Sequence, residues 1–101
     1  MNDEIIDLTP LEQKINALIF KAGYFIQTYR ALDALNVLAE AHRKMDGQEV
    51  HWRVRTAVLK NTGQAYIQLG QFEKGLACFA QSYDSIEDEN EKAGAAAHLA
   101  G

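Results

Sequence analysis

An all-α protein of four to five antiparallel helices is what this sequence predicts, on three observations. Proline occurs once, at Pro10. Apolar residues recur at spacings of three and four, the period of a helix with one buried face. Only short breaks separate these periodic stretches. At 101 residues, 48% apolar and 24% charged, the chain has the length and balance of a single globular domain spanning 1–101 with one core.

The first helix is marked at its start by Thr9-Pro10-Leu11-Glu12. A hydroxyl at the N-cap, proline at the first helical position and glutamate three residues on form a capping box. Downstream, Leu11, Ile15, Leu18, Ala22, Phe25 and Tyr29 make one apolar stripe. A second stripe runs through Ala34, Leu35, Leu38 and Ala41. No glycine or proline separates the two, so residues 28–32 read either as a tight turn or as the middle of one long helix. The turn is the better reading, because so long a helix is rare in so short a globular chain.

Asp46-Gly47 ends the second helix. Residues 49–56 alternate as a strand would, yet Val50, Val54, Ala57 and Asn61 also keep helical spacing, and no partner strand exists elsewhere. We therefore expect a third helix from this segment to Leu69, a turn at Gly70-Gln71, and a fourth helix whose apolar side is Phe72, Leu76, Phe79 and Tyr83. An acidic linker, Asp84 to Glu91, leads to an alanine-rich last helix ending at Leu99-Ala100-Gly101.

Several function classes lose support at this level. A formal charge of −4 gives no general attraction for nucleic acid, and the basic residues Arg43, Lys44, Arg53, Arg55 and Lys60 around Trp52 are diluted by Asp46 and Glu49. Trp52 reads rather as packing between adjoining hairpins. No apolar run approaches a membrane span. His42, His51 and His98 lack partners at metal-ligand spacing, and Glu87, Asp88, Glu89 and Glu91 lack the pattern of a calcium loop. Cys78, the one cysteine, reads as a packing thiol in a reducing compartment. The expectation is a cytoplasmic protein without cofactor or metal, and not an enzyme.

The segment from Leu59 to Ser82 resembles a tetratricopeptide repeat. Gly63-Gln64-Ala65-Tyr66 is similar to the small and aromatic positions of that family's first helix, Leu69-Gly70-Gln71-Phe72 to its turn, and Gly75-Leu76, Phe79 and Ser82 to the packing positions of its second helix. The family usually has alanine at the positions of Gly75 and Ser82, and the proline that follows its second helix is missing. A weaker copy lies 41 residues earlier, where Leu18, Ala22, Phe25, Ala34, Leu38 and Ala41 stand opposite Leu59, Gly63, Tyr66, Gly75, Phe79 and Ser82. There Tyr29 occupies the place of the turn glycine. The two repeats cover about residues 15–48 and 56–89, and residues 90–101 would begin a third or cap the stack. Alanine at Gly75 is expected to be accommodated, and leucine at Gly63 to overpack the helix contact.

The resemblance implies a short right-handed solenoid whose first helices line a concave groove for a peptide or helix of a partner protein. The groove residues would be Asn16, Ile19, Phe20, Gly23 and Gln27 from the first hairpin. The second would supply Lys60, Asn61, Gln64, Ile67 and Gln68. Ile19, Phe20 and Ile26 fall off the stripe assigned to the core and have no evident internal partner, which suits a groove; alternatively Phe20 packs beneath Ile5, Ile6 and Leu8. The carboxylate-clamp variant of the family is not expected, since only Asn61 matches, and Ile19 and Gly23 stand where lysine and asparagine would be needed. The function implied is a protein-binding adaptor or small chaperone. The alternative is a structural unit that self-assembles into a homo-oligomer through an open solenoid end.

Overall fold

A computed structural model describes residues 7–100, with side chains through Gly94. Ile5, Ile6 and Gly101, and the side chains of His98 and Leu99, lie outside that range. Five helices follow one another: α1 (Pro10–Gln27), α2 (Ala31–Met45), α3 (Trp52–Gln68), α4 (Phe72–Ser85) and α5 (Glu89–Ala100). No strand occurs among the described residues.

α1 starts on the capping box that its sequence announces. The Glu12 N–H donates to Thr9 Oγ1 (3.1 Å), and Glu12 Oε1 accepts from the Thr9 N–H (2.9 Å). α1 and α2 form one hairpin, α3 and α4 the other, and each is closed by the same turn. In the first, the Thr28, Tyr29 and Arg30 N–H groups donate to the carbonyls of Tyr24, Ile26 and Phe25; in the second, those of Leu69, Gly70 and Gln71 donate to Ala65, Ile67 and Tyr66. Every bond in one turn has its counterpart 41 residues later. This is a Schellman closure, which requires one residue in the left-handed region. Gly70 meets that need at φ +79° and Tyr29 at φ +62°. Residues 28–30 are thus the turn, and Tyr29, 84% exposed, does not join the apolar stripe.

The core lies between the hairpins. Ile15 and Ala22 of α1, Ala34, Leu38 and Ala41 of α2, and Val58 and Ala65 of α3 are almost wholly buried. Small residues bring the helices of each pair together. Ala22 and Ala34 are buried in the first hairpin, and Gly63 and Gly75 hold the matching places in the second. A Cβ at Gly63 would lie 3.0 Å from the Gly75 carbonyl oxygen, and a Cβ at Gly75 would lie 3.0 Å from that of Gly63. Further along the same pair, Ser82 Oγ donates to the Thr56 carbonyl (3.2 Å), so α4 runs antiparallel to α3.

Three expectations are corrected. α3 begins at Trp52, not at Glu49. Residues 49–51 are non-helical, with Val50 tucked into the core and the His51 ring nitrogen Nδ1 accepting from the Arg53 N–H (3.1 Å) as the cap. On α4, Phe72 and Leu76 are each 59% exposed, while Gly75 and Ser82 are buried. The face turned to α3 therefore combines the small Gly75 and Ser82, which permit the backbone approach, with Phe79, whose ring lies against Gly63 as expected. Lastly, the acidic linker shrinks to Ile86, Glu87 and Asp88. Asp84 and Ser85 belong to α4, Ile86 is buried, and Asp88 Oδ1 accepts from the Glu91 N–H (2.9 Å) at the start of α5.

Two stability measurements follow from this packing. Tyr29→Gly removes the strain of a bulky residue at positive φ and gives up few contacts. Left-handed strain of about 1–2 kcal/mol set against glycine's chain entropy of about 0.5–1 leaves a gain of about 0.5–1 kcal/mol. Gly70→Ala, the reciprocal change, lowers stability by about 1–2 kcal/mol in the same chemical denaturation.

At Gly75 the structure reverses the expectation drawn from helix propensity. An added Cβ meets Ile67 Cδ1 at 2.6 Å and Cγ1 at 2.7 Å, besides the Gly63 carbonyl oxygen. Ile67 is β-branched and stiff at χ1 within a helix, so it yields poorly. Gly75→Ala should cost about 1–3 kcal/mol and Gly63→Leu at least as much. A Gly75→Ala protein melting at or above the wild-type temperature would show that the two helices do not approach this closely.

Candidate functional site

The first helices of the two hairpins lie side by side and point the same way. Near their starts, Glu12 Oε2 accepts from the His51 N–H at 2.6 Å. At their far ends, Gln68 Nε2 donates to the Ile26 carbonyl at 2.9 Å. One carboxylate therefore caps α1 with one oxygen and holds the approach to α3 with the other. These two backbone N–H donors, first Thr9 and then His51, hold the Glu12 carboxyl below its ordinary value against the opposing effect of burial. A third tie joins the hairpins through α2, where His42 Nε2 lies 3.2 Å from Thr62 Oγ1. The Thr62 hydroxyl donates to the Val58 carbonyl (2.7 Å). Its oxygen is then left to accept from His42, which fixes the proton on Nε2. Burial lowers the His42 pKa.

Between α1 and α3 runs a solvent-open groove. Its larger hollow, about 540 Å³, is lined by Gly23, Ile26 and Gln27 from α1 and by Asn61, Gln64, Ile67 and Gln68 from α3. Toward the other end, Asn16 shares a smaller hollow of about 230 Å³ with Leu8, His51, Arg53, Val54 and Ala57. Gly23 borders open space there: nothing lies within 4 Å of where its Cβ would be. Amides dominate the walls. The Asn61 amide donates to the Ala57 carbonyl of its own helix (2.8 Å), which leaves its carbonyl oxygen outward. Gln68 Oε1 is buried without a hydrogen-bond partner among the described residues.

Of the ten residues singled out in the sequence, six line this larger hollow: Gly23, Gln27, Asn61, Gln64, Ile67 and Gln68. Asn16 lines the smaller hollow. Lys60 is exposed on α3, one position before Asn61. Phe20 is 73% exposed and sits one turn before Gly23 on the same face of α1, between the two hollows. Ile19 and Ile26 are corrected, since both are partly buried against the core and have internal partners after all. Ile67 also serves two surfaces, because its side chain reaches the Gly75 position on α4. Missed altogether was the second role of Glu12. A half-capped carboxylate with a free oxygen was visible in the sequence, but not the N–H it would find.

Other candidates carry less. Trp52, expected between hairpins, is half-buried at the start of α3, stacked on its neighbour His51 (ring centroids 5.6 Å) with the Arg53 guanidinium 5.0 Å from the ring. Arg53 is further engaged by Glu91 Oε1 at 2.7 Å, so the basic cluster is partly neutralised within the chain. Cys78 is half-buried and its thiol pKa is raised by burial, which disfavours the thiolate. Among the described residues no three His, Cys, Asp or Glu side chains gather as a metal set, and no helix is long and apolar enough to cross a membrane. No family model, curated protein or solved structure matches this chain.

The two titratable ties give the protein a characteristic acid sensitivity. His42 has a lowered folded pKa, so its contribution is complete above the ordinary value of 6.5 and is lost as pH falls through the lowered value. Glu12 has a lowered folded pKa too; its contribution is complete above 4.5 and disappears below that. Melting temperature followed from pH 8 downward should therefore fall in two steps. His42→Gln should abolish the upper step. Glu12→Gln should abolish the lower one and cost about 1.5–3 kcal/mol at neutral pH, the worth of charge-assisted hydrogen bonds. A single step surviving in both variants would assign the acid sensitivity to other groups.

Proposed function

We propose that this chain is a protein-binding module of the tetratricopeptide-repeat kind, an adaptor or small chaperone that holds a peptide or helix of a partner along the α1–α3 groove. The observation that carries the reading is the parallel seating of α1 and α3 around a groove lined by neutral amides. Amides on a rigid helix face suit a peptide backbone, because each offers donor and acceptor without the desolvation cost of a charge. Phe20, exposed beside them, supplies the apolar anchor that such sites need. The repeated turn and the repeated small-residue contacts, both spaced 41 residues apart, support the solenoid reading. On this reading the protein acts in the cytoplasm and is not an enzyme.

Self-assembly end to end, the alternative reading, finds less support. By the 41-residue register, the α3 positions turned to the first hairpin, Val54, Val58, Thr62, Ala65 and Leu69, correspond on α1 to Gln13, Ala17, Lys21, Tyr24 and Thr28. All five of the latter are exposed, and a lysine lies at their centre. A preceding unit would have to bury that charge.

The test is a tagged chain used to capture its partner, followed by direct titration of the captured protein against variants. Phe20→Ala should weaken binding by about 1–3 kcal/mol while the melting temperature stays within a degree or two. Asn61→Ala should cost about 0.5–1.5 kcal/mol of affinity. Unchanged affinity together with a large loss of melting temperature for Phe20→Ala would place Phe20 in the core and the partner elsewhere.

A further inference from the structure

The two helices that wall the groove are charged unlike the rest of the molecule. α1 and α3 together carry five basic residues, Lys14, Lys21, Arg53, Arg55 and Lys60, and one acidic residue, Glu12. The remainder of the chain carries five basic and thirteen acidic residues. Glu12 adds little negative field at the groove, since it is buried with both oxygens taken by backbone N–H groups. α3 has no acidic residue along its whole length. An acidic protein thus concentrates its positive charge on α1 and α3.

Two of those charges stand at the groove itself. Arg53 lines the smaller hollow with Asn16 and His51. His51 Nδ1 accepts from the Arg53 N–H, which puts the proton of the neutral ring on Nε2. Lys60 is exposed, one turn from Ala57 of the smaller hollow and one turn from Gln64 of the larger. Arg53 already takes a carboxylate, Glu91 Oε1 at 2.7 Å, with the two side chains 44% and 43% exposed. An exposed pair of that kind is weak, and the guanidinium has further donors, so a second carboxylate can share or replace the first. Beyond Lys60 the walls are neutral, with Gln64 and Gln68 opposite Gln27.

We propose that the groove takes an extended acidic segment of a partner protein, with its carboxylates at the Arg53 and Lys60 end and its neutral residues along the amides. This rests on the groove being the binding surface, and adds the chemistry of the occupant. Width argues for an extended chain. The Gln68 side chain alone reaches from α3 to the Ile26 carbonyl of α1 (2.9 Å), so the helices stand one side chain apart, whereas a helix is about 10 Å across. Length sets the size. The stretch of α3 from Ala57 to Gln68 is about 16 Å long, which about five extended residues cover. Side-chain carboxylates suffice, so a free carboxyl terminus is not needed. A nucleic acid fits less well, because its unbroken run of phosphates would continue past Lys60 along walls that hold no cation.

The probes are two pools of rhodamine-labelled hexapeptides with amidated carboxyl ends. Each has three randomised neutral positions and, as a block at either end, three that are Asp or Glu in one pool and Asn or Gln in the other. Titrated with the full chain and followed by fluorescence anisotropy, the acidic pool should bind about tenfold tighter, and about 0.5 M salt should remove most of that preference. Arg53→Gln with Lys60→Gln should abolish the preference while the circular dichroism melt stays within about two degrees. Lys44→Gln on α2 and Lys74→Gln on α4 should leave it unaltered. Equal binding of the two pools, weakened by Phe20→Ala, would overturn this proposal and leave the groove reading intact. An acidic preference that survives the double variant overturns it as well. So does the absence of binding by either pool, and the groove reading is then judged by the captured partner alone. Two other occupants have their own outcomes. A short single-stranded oligonucleotide that binds tighter than the acidic pool would make the ligand a nucleic acid. A preference that emerges only when Asp3, Glu4 and Asp7 are changed to amides would give the groove to the chain's own first residues. In either case the partner-segment proposal would fall.

Discussion

Backbone meets backbone at Gly63 and Gly75, where each carbonyl oxygen stands 3.0 Å from the place the other residue's Cβ would take. Most of the second hairpin depends on that approach. The space that each glycine leaves is filled by a large side chain of the opposite helix, Phe79 at Gly63 and Ile67 at Gly75, while Phe72 and Leu76 are turned outward. The same closeness demands a turn that reverses the chain within three residues, which the Schellman closure with its left-handed residue achieves. In the first hairpin, buried alanines at 22 and 34 hold the matching places, and a tyrosine takes the left-handed turn position that glycine takes in the second. The three paired bonds persist in both turns, and in the first the left-handed strain falls on an exposed side chain.

Much of this was legible in the sequence because it rests on local chemistry. Thr9 and Glu12 announce a helix start whatever surrounds them, Gly47 and Gly70 stop helices at positive φ, and small residues at 63 and 75 announce close packing. The misreadings share a different cause. Ile19 and Ile26 fell off the stripe because a single stripe serves a helix with one neighbour, and α1 has two, α2 and α3. Phe72 and Leu76 were assigned inward because apolar periodicity shows that a face is apolar, not that anything covers it. Ordinary helix propensity favours alanine over glycine at 75, but the clash with Ile67 comes from a residue one turn past Gly63 on the opposite helix, a relation that no single-helix argument contains. Of the groove, the amides of α3 were legible as the face left over once the stripe was assigned. The bond from Gln68 to the Ile26 carbonyl, which aligns α1 with α3, spans 42 residues and has no local signature.

The stack is held unequally at its two junctions, and this bears on the groove. Between the first and second units, Glu12 is 5% exposed and its carboxylate accepts from two backbone donors. A buried, fully engaged carboxylate resists loss, because leaving either N–H without it would cost more than the bond itself contributes. At the next junction the tie is Arg53 to Glu91, with side chains 44% and 43% exposed. An exposed ion pair of that kind contributes about 0–1 kcal/mol, and salt screens it further. The first junction therefore fixes α1 against α3 and keeps the groove in one shape, as a preorganised binding surface requires. The second junction holds the first turn of α5 by that exposed pair, so one repeated contact is made with a buried carboxylate in the first case and an exposed ion pair in the second.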